Sequence, residues 1–305
     1  MYDLIIIGGG PAGITAGIYA ARKKIKSLLV TKAWGGQITK ASEIQNWPGI
    51  NEISGTELMT KMVEHLKIFE IELKEGNEVI DVDKSDNGFI VRENDNTHEA
   101  KAIIIAVGKI PRSLDIPGEE KFKGKGVSLC STCDAPMFKE KEVAVIGGGN
   151  AGFSAALDLT KYAKKVYILE FLEELKGDPF TKEKLEKTGK VEFIVNAAVK
   201  EIKGGAFVER LVYEDRDTSE DKELKVQGVF ISVGMMPCAG FAEKLVEFNK
   251  TGEIKINFEN NSTKTPGIFA AGDATEGKYE QIVIAAGDGA KAALSAHDYL
   301  QGKKE

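Results

Sequence analysis

The 305-residue sequence predicts an α/β protein built from two Rossmann-like, three-layer nucleotide-binding domains, the second inserted in the first. Three observations predict this. A glycine-rich turn between a strand and a helix occurs at Gly8–Gly13 and again at Gly147–Gly152. Each turn follows an apolar strand and precedes a small-residue helix and a second strand, the start of a βαβ unit. The last apolar strand and long helix have no module of their own to pack on, so they return to the first domain.

The elements follow in order. Residues 3–7 read as a buried strand, 12–22 as a helix whose alanines and glycines allow close packing on a sheet, and 26–30 as a second strand. Residues 78–107 alternate apolar and polar side chains around the turn Ser85-Asp86-Asn87-Gly88, which predicts an antiparallel meander laid on the first module. The strand–helix–strand series returns at 142–146, 151–163 and 165–169. A second meander is expected over 199–231, with the acidic run Glu214–Glu223 as its solvated turn. Then come a short strand at 253–257, an apolar strand at 267–271 and a helix at 282–300. The domains so defined are 1–113 with 244–305, and 114–243, joined by hinges near 112–118 and 239–246.

Composition bounds the function. With 42% hydrophobic and 29% charged residues the chain can bury two cores, and the length suits about two domains. Forty-one basic against 47 acidic residues leave a net charge of −6, which argues against nucleic acid or an anionic membrane as partner. The apolar run after Asp3 is too short for a signal peptide or a membrane span, so a cytoplasmic protein is expected. Three cysteines exclude a disulfide-stapled scaffold.

Gly8-Gly9-Gly10-Pro11-Ala12-Gly13 satisfies G-x-G-x-x-G between strand and helix. Gly8 makes the turn, Gly10 lets backbone N–H groups approach a pyrophosphate, and Gly13 allows close helix packing. The helix that starts at Pro11 and Ala12 adds partial positive charge. No acid stands about twenty residues on, where the strand ends in Val30-Thr31-Lys32, so this adenosine must be held differently. Gly147-Gly148-Gly149-Asn150-Ala151-Gly152 repeats the fingerprint, and here Glu170 closes the second strand. A carboxylate there accepts from both ribose hydroxyls and repels a 2′-phosphate. Phe171–Asp178 holds one basic group, Lys176, so NADH is expected over NADPH; a glutamate merely facing solvent is the plainer alternative.

The strand at 267–271 ends in Gly272-Asp273, where open α/β sheets bind ligands, and Asp273 could accept from a ribityl hydroxyl; an ordinary strand turn is the plainer alternative. The helix beginning at Gln281-Ile282 can direct its positive end at a flavin carbonyl. Cys130-Ser131-Thr132-Cys133-Asp134 is the redox motif. Two intervening residues let the cysteines form a disulfide across one turn, and Asp134 can exchange protons with a thiol. A zinc half-site lacks its second cysteine pair, and His65, His98 and His297 show no ligand spacing; passive thiols are the other alternative. Cys238 reads as structural.

Two dinucleotide fingerprints flanking C-x-x-C-D resemble the low-molecular-weight thioredoxin reductases over nearly the whole chain. The likeness extends to Gly35-Gly36-Gln37, Asn46-Trp47-Pro48-Gly49 and Ala106-Val107-Gly108-Lys109-Ile110-Pro111-Arg112. The second half is most similar to the flavoprotein subunit of alkyl hydroperoxide reductase, through Leu169-Glu170-Phe171, Glu174-Leu175-Lys176 and Gly287–Ala293. The resemblance implies FAD held by Gly8, Gly10, Pro11, Ala12, Gly13, Gly36, Gln37, Asn46, Val79, Ala106, Gly108, Gly272, Asp273, Gln281 and Ile282. It implies NADH on Gly147, Gly149, Asn150, Ala151, Gly152 and Glu170.

Electrons would pass from NADH through FAD to the Cys130–Cys133 disulfide and on to a separate thioredoxin- or glutaredoxin-like protein. By the same resemblance Cys133 lies beside the flavin, Cys130 attacks the acceptor, Asp134 handles the proton, the inserted domain rotates during turnover, and the protein is a homodimer. The chain departs from the pattern in lacking a His-Arg-Arg stretch for a 2′-phosphate, and, with the flavin strand beginning already at residue 2, it is expected to lack the thioredoxin-like domains of the peroxide-reductase subunit. Ser131-Thr132, Ala135-Pro136 and Cys238 also differ from relatives. Alternatives are a ferredoxin-linked reductase, for which an eroded second fingerprint is expected, a small-dithiol oxidase, and a flavin redox sensor without turnover.

Overall fold

The computed structural model describes residues 1–41, 43–94 and 96–302. The chain forms two compact units, Met1–Ile110 with the stretch from Met236 onward, and Pro111–Met235. The first opens with β1 (Tyr2–Gly9), α1 (Pro11–Arg22), β2 (Ser27–Trp34), α2 (Gly55–Lys67) and β3 (Glu72–Glu75). It continues through β4 (Val79–Ser85), β5 (Gly88–Glu93) and β6 (Asn96–Ile105). β3, β2, β1 and β6 lie parallel in that order. β1 is buried on both faces, as a parallel strand covered twice must be: Leu4 and Ile6 enter one core, Ile5 and Ile7 the other.

β7 (Lys109–Pro111) leads the chain into the second unit. There follow β8 (Val127–Ser128), α3 (Ser131–Asp134), β9 (Glu142–Ile146), α4 (Asn150–Thr160), β10 (Lys165–Leu169), α5 (Pro179–Lys187) and β11 (Val191–Ile194). The unit closes with β12 (Ala197–Gly204), β13 (Val208–Asp215), β14 (Glu220–Lys225) and β15 (Gly228–Ile231). A parallel sheet in the order β11-β10-β9-β15-β8 is covered on one face by α4, through Phe153 and Leu159, and on the other by the antiparallel β12-β13-β14. Three layers result. The ends of this unit run side by side, with Arg112 N–H donating to the Gly234 carbonyl at 3.0 Å.

β16 (Met235–Pro237) carries the chain back, and the first unit is completed by β17 (Ile268–Ala270) and α6 (Ile282–Leu300). α6 lies against α1 so closely that a Cβ on Gly289 would stand 2.0 Å from the Ala12 carbonyl oxygen. Ala239, Ala242, Val246 and Ile254 cover the opposite face of the sheet.

Four expectations need correction. The 78–107 meander is not laid on the first module but grows from its sheet. One edge of β6 is shared, β5 taking its first half and β17 its second, while β1 takes the other edge. The second meander ends at Lys225, because the wholly buried Gly228–Ile231 is drawn between β9 and β8 as a parallel strand. Residues 253–257 form no strand; Ile254 alone makes isolated bridges, to Phe248 and Thr275. Finally, α2, α5, β3 and β11 have no counterpart among the expected elements, although Ser54 caps α2 by accepting from Glu57 N–H at 3.2 Å, an S-x-x-E capping signal. Among the described residues no helix is long and apolar enough to cross a membrane.

Candidate active site

The first cradle is dictated by β1 ending one residue before α1. Gly8 adopts φ 120°, and a Cβ there would stand 2.2 Å from the Ala106 carbonyl oxygen, so only glycine fits beside that strand end. A Cβ on Gly13 would reach the Gly8 carbonyl oxygen at 1.9 Å. Gly10 is different: nothing lies within 4 Å of its Cβ position, so the space beside it is open. No side chain caps α1, and Pro11 occupies its first turn. The uncapped N–H groups above an open glycine fit a pyrophosphate.

Other predicted flavin residues gather in the same unit. Asn46 Nδ2 donates to Gln281 Oε1 at 3.1 Å across 235 residues of chain, and Gln37 Nε2 donates to the Lys109 carbonyl at 3.3 Å. Ala106 is buried beside Gly8, and Gly108 turns the chain with φ 62°. Val79 packs its side chain into the core. Gly272, φ 71°, sits against Ala12. Gly272, Asp273, Glu280 and Asp288 line a cleft of about 190 Å³ with Phe258 and Tyr279. Ile282 opens α6, and Gln281 is its uncapped N-terminal residue. Burial, and then the nearby Glu280, push the Asp273 carboxyl above its usual range, while Lys109 opposes them. The chemistry of this donor set fits FAD: N–H groups for its phosphates, a carboxylate for its ribityl chain, and an open helix start for a ring carbonyl.

The second cradle repeats the construction atom for atom where it matters. Gly147 has φ 115° and no room beside the Ser232 carbonyl; a Cβ on Gly152 would stand 1.8 Å from the Gly147 carbonyl oxygen. Gly149 is again open. Glu170 is held by the loop it serves: Gly148 N–H donates to Oε2 at 2.6 Å and Leu172 N–H to Oε1 at 3.0 Å. A carboxylate has about four acceptor sites, so each oxygen keeps capacity for a ribose hydroxyl. Asn150 Oδ1 accepts from Asp178 N–H at 2.7 Å, and Ala151 follows in the first turn of α4. The second cradle therefore fits a nicotinamide dinucleotide.

Cys130 and Cys133 form a disulfide with Cα atoms 5.4 Å apart across α3. Cys133 N–H donates to Cys130 Sγ at 3.2 Å. Ser131 and Thr132 both donate to Asp158 Oδ2, at 3.2 and 3.4 Å, which anchors the motif to α4. Buried Ser128 accepts from Cys130 N–H at 3.0 Å and donates to Asp134 Oδ2 at 2.7 Å. Cys238 is an exposed free cysteine, and partial desolvation of its thiol together with the nearby Glu78 raises the thiol pKa, against Lys32. Among the described residues no cluster of three or more metal-ligating side chains occurs.

Sequence reasoning missed Ser128, Asp158 and Lys109. Ser128 stands two residues ahead of Cys130, close enough for the motif to have pointed to it. Lys109 carried no such signal, because its partners Glu253 and Glu280 lie 144 and 171 residues away.

Residues 2–289 match the family described as pyridine nucleotide-disulphide oxidoreductase. The chain is 40% identical over 299 residues to a Bacillus subtilis protein named NADH dehydrogenase, covering 98% of this chain and 58% of that one. It is 41% identical over 300 residues to a subunit of Staphylococcus aureus alkyl hydroperoxide reductase, covering 98% and 59%. It thus spans a little under three-fifths of these relatives' length. The thioredoxin reductase of Lactococcus lactis superposes with a TM-score of 0.84 at 36% identity, covering 99% of this chain and all of that one.

Proposed function

Because the chain belongs to the pyridine nucleotide-disulphide oxidoreductase family, we propose that it is a thioredoxin reductase-like flavoenzyme. It takes electrons from NADH and passes them through FAD and Cys130–Cys133 to a separate thioredoxin- or glutaredoxin-like protein. One observation carries this reading. A single chain holds two dinucleotide cradles of the same build together with a disulfide whose neighbouring carboxylate is held by a buried serine. The first unit is the flavin module and the second the NADH module. In the second, the open Gly149 and the loop-held Glu170 favour a nicotinamide donor over reduced ferredoxin.

Bound FAD supplies a carrier that takes two electrons from a nicotinamide and gives them to a disulfide. The protein's residues do the rest. Backbone N–H groups at the starts of α1 and α4 bind the two pyrophosphates. Glu170 accepts from the ribose hydroxyls of NADH, and Asp273 from the ribityl chain of the flavin. Opening Cys130–Cys133 consumes two electrons and two protons and yields two thiols, with Asp134, next to Cys133 in sequence, exchanging a proton with a thiol. Cys130 then attacks the acceptor disulfide as a thiolate, and Cys133 resolves the mixed disulfide, which leaves the acceptor reduced and Cys130–Cys133 oxidised. The protein works in the cytoplasm as a homodimer, without nucleic acid or membrane as partner; sedimentation equilibrium tests the dimer.

The test is anaerobic flavin bleaching by NADH, NADPH or reduced ferredoxin in turn. NADH should bleach fastest; faster bleaching by NADPH overturns the role of Glu170. Cys130→Ser should keep flavin reduction and abolish transfer to a thioredoxin-like acceptor. Cys133→Ser should trap the acceptor on Cys130 for identification.

A further inference from the structure

Lys109 is the one lysine side chain among the described residues that is buried, 9% exposed, and its place is in the flavin module rather than at the redox motif. Its ammonium bonds Glu253 at 2.5 Å and Glu280 at 2.6 Å. Glu253 is itself fixed, accepting from Asn249 Nδ2 at 2.6 Å and from the Thr251 hydroxyl at 2.9 Å, so Lys109 stands on an anchored carboxylate and reaches to a half-exposed one. A buried ammonium is costly unless paired. Burial works against the charge on Lys109, yet its bonds to the two glutamates outweigh that and hold its pKa above the usual value.

The residue touches three parts of the flavin cradle. Its own carbonyl accepts from Gln37, it follows directly on Gly108, and Glu280 precedes Gln281, which receives the Asn46 amide. It also neutralises Glu280 beside Asp273, on the wall of the cleft.

We infer that Lys109 is a positioning residue of the flavin site, clasping the 276–281 loop through Glu280, and that the charges of this pair tune the potential of the bound flavin in opposite senses. The inference rests on reading the first unit as the flavin module. Glu280 contributes negative charge beside the cleft, which disfavours the electron-rich reduced flavin. Lys109 contributes positive charge, which favours it. Removing either partner should loosen the loop, but the two removals should move the potential in opposite directions. A purely structural role cannot produce that pattern.

The experiment uses the FAD-loaded protein and three variants: Glu280→Gln, Lys109→Gln and Lys109→Arg. Flavin affinity is read by fluorescence on dilution, and the midpoint potential by equilibration with a redox dye. Glu280→Gln leaves Lys109 paired with Glu253 and so should fold. It should weaken FAD about tenfold and raise the potential, with a tenfold change in the redox equilibrium corresponding to about 30 mV for a two-electron couple. Lys109→Gln should weaken FAD at least as much and lower the potential, and Lys109→Arg should recover both readings to within about threefold. Should Lys109→Gln fail to fold, the sign of the Glu280→Gln shift decides alone. Unchanged affinity and potential, or shifts of the same sign in both variants, overturn the inference and leave the flavin reading standing. A wild-type protein that binds no FAD overturns both.

Discussion

Ser128 and Asp134 are joined by a 2.7 Å hydrogen bond in which the buried serine hydroxyl donates to the carboxylate, while the serine oxygen accepts from Cys130 N–H at 3.0 Å. One side chain thus fixes both the first cysteine's backbone and the acid beside the second. Ser128→Ala removes a donor from a charged acceptor, a bond worth about 1.5–3 kcal/mol. The expected outcome is a roughly tenfold slower opening of the disulfide by reduced flavin, with hydride transfer from NADH unchanged. Asp134→Asn should cost about 10²–10³-fold in the same step, within the range for a positioned acid or base. Stopped-flow absorbance of the anaerobic enzyme separates the two half-reactions.

The Glu170 oxygens already receive the Gly148 and Leu172 N–H groups, so the ribose contact proposed for this residue would be a second duty, one that its position in the sequence did not disclose. Glu170→Gln should raise the KM for NADH about 10-fold or more, equivalent to ~1.4 kcal/mol or more, with kcat little changed, because the adenosine end binds equally in ground and transition states. Glu170→Arg should weaken NADH more than NADPH and reverse the preference. Steady-state kinetics with both nucleotides check this, and an unaltered NADH-to-NADPH ratio would remove the ribose contact.

The glycines of each fingerprint should separate into two kinds. Gly13→Ala and Gly152→Ala place a Cβ within 2 Å of a backbone carbonyl oxygen, so they should unfold the local strand–helix junction and lower the melting temperature. Gly10→Ala and Gly149→Ala meet nothing within 4 Å, and should change stability little while weakening the dinucleotide of their own unit tenfold or more. Calorimetry paired with nucleotide titration distinguishes the two classes.

Asp273 makes a pH prediction. Burial and Glu280 raise its folded pKa above the unfolded value, so the folded state binds this proton more tightly than the unfolded chain does. Its contribution to stability is therefore fully present below the unfolded pKa and is lost as pH rises through the folded value. Burial pushes Asp288 the same way. Asp273→Asn should stabilise the flavin-free protein at neutral pH and flatten its pH dependence in the mildly acidic range, yet weaken FAD, because a neutral amide with one acceptor oxygen replaces the carboxylate proposed to meet the ribityl chain. Melting curves from pH 4 to 8 with and without FAD measure both effects.

The local sequence determined the two glycine cradles, the strands and helices on either side of them, the C-x-x-C-D motif and the long closing helix, which spans Ile282–Leu300 where 282–300 was expected. These features are encoded within a few residues: an apolar run, a glycine that alone can take φ near 120°, a helix start that follows at once. What only the tertiary structure decided were relationships across the chain. The Gly228–Ile231 segment reads equally well as the end of a meander or as a central parallel strand, and the edges of β9 and β8 settled it. Asn46 met Gln281, and Lys109 met Glu253 and Glu280, because the sheet brings β1, β6 and β17 side by side. No periodicity announces such a meeting. A side chain's partner more than a hundred residues away depends on which strand edges pair, and that is settled by the burial and hydrogen bonding of the whole sheet rather than by any one of its strands.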